Sequence, residues 1–140
     1  MKTRTPTSQE IEELVAFLPR LYVKELSPAK KWHGGDKDDD GVITMPWPEY
    51  EPVVEDFFQA ASGESWTDPE YLTKSAGQML KNEDTVKTAD LDQIKTMLTY
   101  CVRGERFFTG HWGNVIENGY VLRLLQRLAE LGLKVRQAGS

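Results

Sequence analysis

The chain reads as a mainly α protein of five or six helices with one small β-hairpin near residues 30–45. Three observations predict this. Apolar residues recur at three- and four-residue spacing through most of the 140 residues. Capping signals precede several of those stretches. Only "AKKWH" and "GVITM", flanking an acidic turn, have the short, aromatic and β-branched character of strands. Size and composition, with 39% hydrophobic and 28% charged residues, suit one compact domain over 1–140, with tails at about 1–6 and 135–140.

The first helix is announced by Thr7 and Glu10 at capping-box spacing. Ile11, Leu14, Val15, Leu18 and Leu21 or Tyr22 continue it, and Pro19 should end or kink it around Leu18. Pro46 and Pro48 in "MPWPEYEP" hold the next segment extended. A helix over about 50–62 then accepts Pro52 in its first turn and carries a wide stripe of Tyr50, Val53, Val54, Phe57, Phe58 and Ala61. In "TDPEYLTKSAGQMLK", Thr67 or Asp68 before Pro69 signals another helix start. From Asp90 to Arg103, Leu91, Ile94, Leu98, Cys101 and Val102 form a seam. A short helix near 111–118 should stop at Gly119, and a last one over 120–131 at Gly132.

One cysteine, Cys101, permits no intramolecular disulfide, which fits a reducing cytoplasm. No apolar run approaches the ~18–20 residues of a membrane span, and the N-terminus lacks the apolar core of a secretory signal. Net charge is −5, divided as −9 over residues 1–93 and +4 over 94–140. The basic third includes Arg123 and Arg127, four apart, with Lys134 and Arg136 behind them. These could touch phosphates, but the helix pair lacks a set of side chains that reads base edges, which argues against a nucleic-acid partner.

Two stretches carry candidate chemistry. In "GDKDDDGVITMPW", Asp36, Asp38 and Asp40 occupy positions 1, 3 and 5 of a calcium loop, with Gly41 at position 6. Position 12 is Trp47 where a bidentate glutamate is needed, and neither flank can be a helix there. The run therefore reads as a charged hairpin turn, and calcium is not expected. The second stretch, "TMLTYCVRGERFFTGHW", groups Arg103, Glu105, Arg106, His111 and Trp112. Arginines there could clamp an anion while His111 moves a proton and Glu105 orients one of them. The competing reading is an ion-pair corner with Trp112 on a guanidinium. Cys101 lies on the apolar face of its helix and reads as a small hydrophobe rather than a nucleophile. One cysteine and two histidines do not make a zinc site, and no cofactor motif is present.

Taken together, "GVITMPWPEYEPVVEDFF", "AGQML" and "QIKTMLTYCVRGERFFTGHWGNVIENGYVLRLLQRL" resemble an uncharacterised bacterial domain-of-unknown-function family. Its short proteins carry an MPxPxY segment ending in FF and a TMLTYCVRGERFxxGHW block. The resemblance runs from about Leu14 to Leu131 and implies a bacterial, intracellular, single-domain protein, without an activity or cofactor. It directs attention to Arg103, Glu105, Arg106, His111 and Trp112. The functional expectation is a small cytoplasmic interaction or regulatory module that binds a protein partner or itself. Trp47, set between Pro46 and Pro48, is a candidate anchor.

Overall fold

The computed structural model describes residues 6–22, 29–34, 41 and 47–139, with backbone alone for 29–33, 47 and 133–139. It is mainly helical. Helix α1 spans Ser8–Val15. The predicted capping box closes it, the Glu10 N–H donating to Thr7 Oγ1 at 3.2 Å and the Thr7 N–H to Glu10 Oε1 at 3.1 Å. After a break at Ala16 and Phe17 comes the single turn α2, Leu18–Leu21. Pro19 has no N–H to continue α1, but in the first turn of α2 it needs none. The expected kink is thus real and falls two residues earlier.

Strands β1, Ala29–His33, and β2, Trp47–Tyr50, pair antiparallel with Trp32 opposite Pro48 and an irregularity between Ala29 and Lys31. The first strand is where the sequence placed it. Its partner among the described residues is "WPEY"; residues 42–45 of "GVITM", the partner the sequence suggested, lie outside the described residues.

Helix α3, Pro52–Ala61, starts on Pro52 and buries Val54, Phe57, Phe58 and Ala61. After a 3-10 turn at Glu64–Trp66, the helix expected in this stretch does not start at the Thr67–Asp68–Pro69 signal. Asp68 holds one local N–H, that of Glu70, on Oδ1 at 2.9 Å. Its Oδ2 instead accepts from Thr96 Oγ1 at 2.6 Å and Lys74 Nζ at 2.8 Å. The carboxylate therefore ties this segment to the next long helix, and residues 69–75 run as turns ending at Ser75, φ 57°. Only then comes α4, Ala76–Lys81, in the second half of the stretch where a helix was expected, followed by α5, Glu83–Lys87, which the sequence reading missed. Asn82 caps α5 by accepting from the Thr85 N–H.

Helix α6, Leu91–Arg103, is closed by an Asp90–Gln93 capping box and buries Ile94, Met97, Leu98 and Cys101 completely. Helix α7 covers His111–Glu117, and Gly119 at φ 80° turns the chain into α8, Tyr120–Gly139. The last helix was expected to stop at Gly132, yet it runs through. Gly132 lies where α8 crosses α1, and a β-carbon on it would stand 3.1 Å from Ile11 Cγ2. Its small size serves close packing rather than a cap. Helix α8 lays Val121, Leu124, Leu125 and Leu128 into one core with Ile11, Leu14, Phe57 and Leu98. Each large apolar side chain removed from water there stabilises the fold by roughly 1.5–3 kcal/mol.

Candidate functional site

The site is built at the end of α6. A 3-10 turn, Gly104–Arg106, continues the helix, and the Gly104 carbonyl accepts from the N–H groups of both Phe107 and Phe108, at 3.0 and 2.9 Å. Gly110, at φ 90°, then reverses the chain into α7.

Glu105 locks this turn. Its Oε1 accepts from the Tyr50 hydroxyl at 2.7 Å and the Trp112 N–H at 2.9 Å, and its Oε2 accepts from the Gly110 N–H at 3.0 Å. One carboxylate so joins the end of β2, the turn and the head of α7. The Tyr50 phenol is pushed well above its ordinary range by burial, then by its hydrogen bond to Glu105 and that carboxylate's charge.

Trp112 is a core anchor and does not lie on a guanidinium. Its Nε1–H donates to the Val102 carbonyl at 2.9 Å, its ring stacks on Phe58 at 4.6 Å between centroids, and Tyr50 lies 5.4 Å away. His111 is buried edge-on to Tyr100, with Nε2 lacking a hydrogen-bond partner. It packs on Gly104, where a β-carbon would lie 2.2 Å from Nε2. Burial lowers its pKa, against weaker opposition from the Tyr100 carbonyl and Glu105.

The five residues grouped by sequence therefore divide. Glu105, His111 and Trp112 build the turn, and both oxygens of Glu105 are already occupied. Arg103 and Arg106 face elsewhere. They line a recess of about 100 Å³ with Ser62, Thr67, Thr99 and Val102. The guanidinium carbon of Arg103 also lies 5.5 Å from the centre of the Tyr71 ring. The arrangement expected for proton transfer, His111 and Glu105 opening with both arginines onto one cleft, is not assembled.

Sequence reasoning missed Phe107 and Phe108, which are 67% and 72% exposed, and Leu72, also 72% exposed. A signal was present: "ERFFT" lies between two glycines and is too short to offer a helical face on which both rings could be buried. Leu72 lines a shallow pocket with Tyr71, Ala76 and Tyr100.

The other candidates are placed as follows. Cys101 is fully buried on α6, and burial pushes its thiol far above the reactive range. Arg127 donates to the Ala89 carbonyl and pairs with Glu130, while Arg123 pairs with Glu83 at 3.4 Å and lies over Tyr120. Both are engaged within the fold. The side chains of Lys134, Arg136 and Trp47 lie outside the described residues, as do Asp36, Asp38 and Asp40. Among the described residues no His, Cys, Asp and Glu side chains gather as a metal-binding group, and no helix is long and apolar enough to cross a membrane.

No curated protein and no solved structure matches the chain. A family model does, over residues 6–132, which takes in every element from α1 through the α8 crossing and the whole turn between α6 and α7. The chain belongs to the family of unknown function DUF6508.

Proposed function

We propose that this protein is a cytoplasmic interaction module rather than an enzyme, and that it receives an apolar segment of a protein partner on the Phe107–Phe108 turn. The observation that carries this reading is the pairing of exposed rings with a constrained backbone. Two adjacent phenylalanines in water are a cost to a monomer unless something covers them. Here the Gly104 carbonyl and the Glu105 carboxylate hold the turn in place beforehand. Rigid aromatic anchors lose little conformational freedom on binding, so most of their buried area is available as affinity. Leu72, on the 71–75 segment, is a further exposed apolar side chain. Glu105 and His111, the residues best suited to proton chemistry, are engaged in supporting the turn.

The test is affinity capture from the source cell extract with the wild-type chain and with Phe107→Ser plus Phe108→Ser. Wild type retains a partner and the double variant loses at least tenfold of it, while melting at the same temperature. Equal retention by both proteins sinks the reading. Sedimentation of the purified chain separates a foreign partner from a second copy of this one.

A further inference from the structure

We infer that the recess between Arg103 and Arg106 is a binding site for a phosphoryl group, either free phosphate or the terminal group of a small phosphomonoester. The inference does not depend on the aromatic turn. Its volume of about 100 Å³ is well below that of ordinary metabolite pockets, roughly 300–1,000 Å³, and suits a single compact group. Two arginines on one small recess match the double charge of a phosphate better than the single charge of a carboxylate. No carboxylate lines the recess. Neither Arg103 nor Arg106 has an ion-pair partner among the described residues, whereas Arg123 and Arg127 each have one. Arg103 is steadied instead by the Tyr71 ring, which orders the side chain without neutralising it.

The remaining wall is polar and already committed. The hydroxyls of Ser62, Thr67 and Thr99 donate to the carbonyls of Gln59, Gly63 and Lys95, at 2.7, 2.9 and 2.8 Å. These bonds hold the wall in shape and leave donation to the ligand to the two guanidiniums. Arg103 closes α6 and Arg106 closes the following 3-10 turn, so the spacing between them is set by continuous helical backbone.

The experiment is a titration of the full chain with inorganic phosphate at constant ionic strength, following the side-chain Nε–H resonances of Arg103 and Arg106 by NMR. Both resonances should move along one saturable curve. Arg106→Gln, a change on an exposed side chain, should raise Kd at least tenfold without altering Tm. Arg103→Lys should weaken binding while keeping the charge, because the planar fork is lost. Phe107→Ser with Phe108→Ser should bind as wild type does. Tighter binding of glycerol phosphate than of phosphate would assign the site to a phosphomonoester, and the reverse order to the free ion. A shift that does not saturate, an equal response to acetate, or an unchanged Kd in Arg106→Gln would overturn the inference.

Discussion

Gly104 shows how a single residue decides the local geometry. Its backbone is ordinary helix, φ −60°, so conformational freedom is not what a glycine supplies there. What it supplies is space, because a β-carbon would stand 2.2 Å from Nε2 and 2.3 Å from Cδ2 of His111. Gly104→Ala should therefore cost about 2–4 kcal/mol, as overpacking of a buried ring against backbone does. His111→Ala removes the obstacle and leaves a cavity of its own. In that background Gly104→Ala should cost less than 1 kcal/mol or so, and urea unfolding of the four proteins measures the coupling. Additive costs would mean that the ring moves aside freely. The pair was visible in the sequence only as a glycine and a histidine seven residues apart, and their contact arises from the reversal at Gly110.

At the scale of the element, local chemistry and tertiary packing gave different answers in different places. The predicted Thr7–Glu10 capping box formed, and an Asp90–Gln93 box that had not been read from the sequence formed as well, because each pair satisfies orphan N–H groups within four residues. Asp68 carried a similar signal and formed no helix, because Thr96 and Lys74 compete for the same carboxylate. Gly132 read as a stop signal, although α8 continues and uses it at the crossing with α1. Gly132→Leu should lower stability by about 1–3 kcal/mol by forcing the two helices apart, despite the better helix propensity of leucine. Thermal unfolding checks this. A rise in Tm would show that Ile11 yields readily and that the crossing is loose.

The whole molecule should lose stability with acid in two windows. Burial depresses the folded pKa of His111 below its ordinary 6.5, so the unfolded chain takes up that proton first. The corresponding stability is complete above about pH 7 and falls as pH drops through 6.5 toward the lower folded value. Asp68 acts at lower pH. Burial raises its pKa, but the hydrogen bonds from Lys74, Thr96 and the Glu70 N–H together outweigh that and hold it below 3.8. Its contribution is complete at neutral pH and is lost only below about pH 4. Urea unfolding between pH 4 and 8 should show the first loss in wild type and its reduction in His111→Phe, which keeps a ring against Tyr100 and cannot titrate. An undiminished loss in the variant would show that His111 does not carry it.

Helical class, a break ahead of Pro19, the bounds of α3 and α6, and the burial of Cys101 were legible in the sequence, because spacing, capping and proline act over a few residues. So was the importance of the stretch from Arg103 to Trp112. How its side chains divide was decided by tertiary structure alone. Glu105 faces inward because Tyr50, from across the fold, and Gly110 and Trp112, from the reversal at Gly110, bring three donors to it. Trp112 packs against the core because Phe58 of α3 offers it a parallel face. Arg103 and Arg106 are left on the far side of the same turn, and Phe107 and Phe108 are left in water. Spacing along the chain names the residues that can share a site. Only the packing of α3 and β2 against the end of α6 determines which of them do.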